Sequence, residues 1–124
     1  GDYVIEQNGI IISKIGEVLN GDFWGSYYKK INNYFSNLGG NILVKDIERH
    51  ATQTEIAEYE SALSFHEHGR KPFELKRGDV VYLKGYDKNI FLDSGNIYKK
   101  HNFIDGDVVL VKTVEEVNEW LENK

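Results

Sequence analysis

Phe23-Trp24-Gly25-Ser26-Tyr27-Tyr28-Lys29-Lys30-Ile31-Asn32-Asn33-Tyr34-Phe35-Ser36-Asn37-Leu38 admits two readings, and the architecture of the chain follows from the choice. Tyr27, Ile31, Tyr34, Phe35 and Leu38 fall at helical spacing and would form one apolar stripe. The same residues also read as a hairpin, with residues 23–30 as one strand, Asn32-Asn33 as the turn and residues 34–38 as the other. The hairpin is preferred. Aromatic side chains suit a pleated, half-buried surface, and consecutive asparagines compete with the backbone of a helix interior. Gly39-Gly40 closes the segment on either reading, and residues 41–47 follow as a strand.

Upstream, residues 3–6 read as a short strand. Asn8-Gly9 is a hairpin turn signal, because both residue types tolerate positive φ. Residues 10–19 form a longer strand with a bulge expected at Gly16, and Asn20-Gly21-Asp22 turns the chain again. Downstream, Thr52 and Glu55 have the spacing of a capping box, with Ala51 and Ile56 at staple positions. The helix runs to about His68, with Gly69 just past its end. Ile56, Tyr59, Ala62, Leu63 and His66 form its inner stripe. Glu55, Glu58, Glu60, Ser61, Ser64 and Glu67 form its wet face.

Pro72 opens a second β section. Strands are expected over residues 80–84, 90–92, 97–99 and 108–111, with a loop over 85–89 and a turn at Asp93-Ser94-Gly95-Asn96. A second capping box, Thr113 with Glu116, starts a terminal helix that buries Val114, Val117, Trp120 and Leu121 and leaves Glu115, Glu119 and Glu122 in water. Residues 78–84 resemble residues 106–112, and residues 40–45 echo both. Each is a turn feeding an apolar strand that ends in lysine, a recurrence that turn chemistry explains. The expected fold is α+β: small curled antiparallel sheets of SH3-like barrel character with two short capped helices. Residues 1–69 and 70–124 are its two sections, packed as one compact unit.

Composition narrows the function. The chain has 124 residues, no cysteine, 15 Lys and Arg, and 20 Asp and Glu, for a net charge of -5. Disulfides and thiolate chemistry are excluded, and a general duplex-DNA coater is disfavoured. No apolar run has the length of a membrane span, and no signal peptide is visible, so a cytoplasmic protein with no membrane partner is expected. Gly1 and the absence of methionine read as a cleavage scar.

Arg49-His50-Ala51-Thr52-Gln53-Thr54-Glu55-Ile56, with Tyr59 and His68-Gly69 downstream, resembles a recurring pattern in uncharacterised proteins of bacteriophages and other mobile elements. There an arginine, any residue, alanine and threonine lead into a helix that ends near His-Gly, after short aromatic strands. The similarity covers roughly residues 21–69. Residues 76–84 also resemble the opening strand of SH3-like barrels. The resemblance implies a small phage or prophage accessory protein in a bacterial host and supplies no catalytic residues.

Four side-chain groups bear on chemistry. His66-Glu67-His68 has zinc-ligand residue types, but residues two apart on a helix point to different sides; with His50 and His101 remote, no metal is expected. Asp79, Asp93, Asp105 and Asp107, with Lys84 and Lys112, have the residue types of a metal-dependent nuclease, yet most sit at turns where they cap amides. Arg70, Lys71, Lys76 and Arg77 make a basic loop around Pro72 and Phe73, and Lys99, Lys100 and His101 a second basic spot. These can meet phosphates, with Tyr27, Tyr28 or Tyr86 stacking on bases. Trp24, Tyr27, Tyr28, Tyr34 and Phe35 lie within 12 positions, more rings than one small core takes up, and exposed Trp and Tyr anchor interfaces. The expected function is therefore non-enzymatic: binding a host or phage protein through these aromatics, as a host-takeover factor or an inhibitor of host defence, without a cofactor. Nucleic-acid binding by the basic loop and a metal-dependent nuclease are the alternatives.

Overall fold

The computed structural model describes residues 2–95 and 97–123. The fold is α+β, with a five-stranded and a three-stranded antiparallel sheet and three helices among the described residues. It divides into two compact units, residues 1–63 and 64–124, and helix α1 (Gln53–Glu67) runs through the division. Among the described residues no helix is long and apolar enough to cross a membrane.

In the first unit, β1 (Tyr3–Glu6), β2 (Ile11–Leu19), β3 (Asp22–Lys29), β4 (Tyr34–Ile42) and β5 (Ile47–His50) pair in the order β4-β3-β2-β1-β5. The hairpin reading of residues 23–38 holds: β3 and β4 pair with Lys29 opposite Tyr34, and Asn33 turns the chain at φ 50°. Two expectations fail nearby. Gly39-Gly40 does not end the segment, since β4 continues to Ile42. Residues 41–47 are not one strand, because a 3-10 turn at Val44–Asp46 separates β4 from β5.

That short connection sets the shape of the sheet. Laid flat, five strands would place the outer two about 19 Å apart. Residues 43–46, containing a turn that rises only about 2 Å per residue, cannot cross that gap. The sheet must curl. The register shifts between Ile15 and Glu17, where Gly16 forms the expected bulge, and again between Gly25 and Tyr27; both add local twist. At Gly25 a Cβ would lie 1.9 Å from the carbonyl oxygen of Lys14, so only glycine permits this approach.

Strand alternation sorts the side chains. Ile5, Ile12, Tyr28 and Phe35 form one buried row across four strands, and Tyr59 of α1 packs on it with its ring 5.3 Å from that of Phe35. Ser26 hydrogen-bonds the Tyr59 hydroxyl, and Tyr3 meets the same ring edge-on. Val4, Ser13, Tyr27 and Ser36 form the next row, on the opposite face. The α1 stripe is rotated from expectation. Tyr59, Ala62 and Phe65 are buried, whereas Ile56, Leu63 and His66 are half-buried. Glu58, expected in water, is buried with Lys30 Nζ 3.5 Å away.

The start of α1 is the capping box expected from Thr52 and Glu55. The Glu55 amide donates to Thr52 Oγ1 at 3.2 Å, and the Thr52 amide donates to Glu55 Oε1 at 2.9 Å. Arg49 adds a bidentate pair to the same carboxylate, at 2.7 and 3.0 Å. The Arg49 bonds chiefly, with help from Thr52 and against the effect of burial, lower the Glu55 carboxyl from 4.5 to about 2. The cap therefore stabilises fully above pH 4.5 and is lost as pH falls through about 2. In acid titrations followed by denaturant melts, the stability gap between wild type and Glu55→Gln should shrink over that interval; a pH-independent gap would contradict this.

In the second unit, β6 (Val80–Leu83), β7 (Lys88–Phe91) and β8 (Val108–Lys112) pair in the order β7-β6-β8. Phe65, Val81, Leu83, Leu92, Phe103, Val108 and Leu110 form the core. The two similar stretches, 78–84 and 106–112, become neighbours, with Val81 opposite Leu110. The third, 40–45, only ends β4 and begins the 3-10 turn. Both sheets are open among the described residues, so the second section contributes a three-stranded sheet, not a closed barrel. Residues 97–99 are not a strand; α2 (Lys100–Ile104), an unexpected third helix, follows them and buries Phe103. Of the turn at 93–96, Asn96 lies outside the described residues. Helix α3 (Val114–Glu122) has the expected capping box at Thr113, but not the expected burial. Val114 and Val117 are half-buried, whereas Trp120 is 60% and Leu121 54% exposed.

Candidate functional site

The five aromatics proposed as one binding surface are divided by the pleat. Tyr28 and Phe35 belong to the buried row under α1 and are not available to a partner. Tyr27 and Tyr34 lie together on the other face, with ring centroids 6.1 Å apart. Trp24, paired with Glu17 and Asn41, is 38% exposed further along β3.

Tyr27 also lines a cleft of about 290 Å³ on that face, with Glu6, Ser13, Lys29, Asn41 and Asp46. Ser13, itself buried, donates from its hydroxyl to Glu6 at 2.8 Å. Burial raises the Glu6 carboxyl above its ordinary value; the Ser13 bond opposes the rise and the Asp46 charge adds to it. A second cleft of about 390 Å³, bounded by Val4, Ile15, Phe23, Val44 and Ile47, is more apolar. Together these line the inside of the curl. The sequence reading passed over Glu6, Ser13 and Asp46. The signal was weak but present: Glu6 follows the apolar pair Val4-Ile5, and Ser13 lies between Ile11 and Ile15 at the alternate positions of its strand.

Strand β4 borders this face and is an outer strand of the sheet. Its nine residues carry neither charge nor proline. The other three outer strands differ. β5 and β7 have four residues each and β8 five, and they carry Glu48 and Arg49, Lys88, and Lys112 respectively. Pairing of Tyr27 with Ser36 and of Gly25 with Gly40 leaves residues 37–39 opposite Ser26 alone. This bulge, with Gly39 at φ 85°, pushes Leu38 out to 91% exposure, while Tyr34 is 47% exposed.

The basic loop of the second unit is partly engaged. Arg70 is only 4% exposed, so it belongs to the interior and not to a phosphate-binding surface. Its guanidinium donates to both oxygens of buried Asp79 at 2.7 and 2.9 Å, to Glu115 at 2.6 Å and to the Glu74 carbonyl at 3.0 Å. Lys71, Lys76 and Arg77 are exposed, with Lys76 Nζ 3.8 Å from Glu115. Asp79 also accepts the amides of Lys76 and Val114, each at 2.7 Å. Burial alone would raise its carboxyl, but Arg70 and the two amides outweigh that and hold it below its ordinary value.

His66, Glu67 and His68 do not converge. His68 Nδ1 lies 2.8 Å from Glu116, the carboxylate that also accepts the Thr113 amide. Among the described residues no three His, Asp or Glu side chains are placed to hold a metal ion. No family model, curated protein or solved structure matches the chain.

Proposed function

We propose that the chain is a non-enzymatic protein-binding module that holds its partner by strand addition at β4. Its origin in a phage or mobile element of a bacterial host rests on the resemblance of roughly residues 21–69. The observation carrying the binding mode is the contrast among the four outer strands. Unpaired strand edges template association, and proteins ordinarily blunt them with charge, proline or brevity, or in part with a bulge such as that at residues 37–39. Three edges here have charge and brevity. β4 has neither; its bulge leaves residues 34–36 extended and presents Leu38 as an apolar knob. An extended segment pairing there gains main-chain hydrogen bonds, with specificity from the side chains beside Tyr34 and Tyr27.

The test is capture from bacterial lysate by wild type and by the double variant Tyr34→Lys, Leu38→Lys. Both positions are exposed, so folding stability should change by no more than about 1.5 kcal/mol, most of it from the lost Tyr27–Tyr34 contact. Specific capture should fall at least about tenfold in the variant, consistent with loss of a central apolar anchor. Equal capture by the two proteins would sink the proposal. Concentration-dependent self-association that the same variant abolishes would identify the added strand as a second copy of the chain.

A further inference from the structure

In the second unit the β6–β7 hairpin and α2 border a cleft of about 230 Å³. Its walls include Tyr86, Tyr98, Asn102 and Asp107, with Leu83 and Val108 beneath. Leu83 and Val108 are core residues, so the floor is apolar. Tyr86 is 76% exposed, a large ring held out at a turn where core packing gives no reason for it. Asp107, an exposed residue of the same walls, carries a carboxylate and forms no ion pair among the described residues. Two tyrosine rings, one carboxylate and an apolar floor are the components that attract a weakly hydrated organic cation: ring faces supply the quadrupole, and the carboxylate supplies the counter-charge. The chain already uses one ring in this way, since Lys88 Nζ stands 5.9 Å from the centroid of Tyr86.

We infer that this cleft binds a methylated ammonium group, carried by an alkylated lysine side chain or by choline. Lys88 acts as the internal competitor for Tyr86.

The test is an NMR titration of the intact protein with choline chloride, with N-acetyl trimethyllysine amide, and with 3,3-dimethylbutanol, the neutral isostere of choline. Saturable shifts of the residue 86, 98 and 107 amides are expected with both cations and not with the alcohol. Tyr86→Ala should abolish saturation, and as an exposed turn position it leaves the remaining spectrum intact. Asp107→Asn should weaken binding about threefold to fivefold, and Lys88→Gln should strengthen it by a similar factor, the range expected of exposed cation–ring contacts. Tighter binding of the lysine derivative than of choline would identify a protein side chain as the source; the reverse order would identify choline. Shifts that stay linear with concentration, or equal shifts with the neutral alcohol, would overturn the assignment.

Discussion

Asp79→Ala is expected to destabilise the second unit by about 3–5 kcal/mol, the range for removing one partner of a buried ion pair. Asp79 is fully buried, and its loss would strand the Arg70 guanidinium beside Glu115 alone while leaving the amides of Lys76 and Val114 without their acceptor. Both consequences act together: a buried guanidinium left with one exposed carboxylate as its counter-charge, and two unmet donors. Because the native carboxyl is held below its ordinary value, its contribution is present above the ordinary aspartate range and is lost as pH falls through the native value. Replacing both partners, as Arg70→Met with Asp79→Leu, should recover part of the loss by removing the stranded charge. Recovery stays incomplete because no apolar residue accepts the two amides. Urea melts of the three proteins give the comparison. A cost under about 1 kcal/mol for Asp79→Ala would refute a structural role for this cluster.

Phe65→Ala should cost a similar amount, about 3–5 kcal/mol, for a different reason. Phe65 is buried at the centre of the second core, its ring 5.1 Å from that of Phe103 and 5.5 Å from that of Phe73. Truncation removes transfer energy and leaves a cavity that two aromatic neighbours fill poorly. Phe91→Ala, the same chemical change on an exposed β7 residue, should stay within about 0.5 kcal/mol. If the two variants melted together, the core assignment would be wrong.

Local chemistry was legible in the sequence where it was locally determined. The capping boxes at Thr52 and Thr113 and the bulge at Gly16 follow from two or three neighbouring residues, and each stands where it was read. The hairpin of residues 23–38 was legible because consecutive asparagines and dense aromatics both disfavour a helix. What failed depended on distant partners. Leu43-Val44-Lys45 has strand composition, but the chain must turn there for β5 to reach the free side of β1. Arg70 counted as surface charge because its partners Asp79 and Glu115 lie 9 and 45 positions away. The periodicity of α3 places Trp120 and Leu121 on one stripe without stating whether a core lies opposite. Helix α2 has five residues, too few to establish a period. For the candidate site, the aromatic cluster was visible, but its division followed only from register: adjacent Tyr27 and Tyr28 must point to opposite faces once the strand is fixed. The uncharged edge was visible in composition as well, yet became meaningful only when strand order put β4 outermost.

The first strand of the five-stranded sheet is an inner strand, flanked by β2 and β5. Every other pairing in that sheet joins segments adjacent in sequence; the seam between β1 and β5 joins Val4 to His50. That seam needs a contact across about 45 positions of the chain, the longest loop closure in the sheet. Without β5 the four-stranded meander has an additional naked flank along β1, and only that short fifth strand covers it.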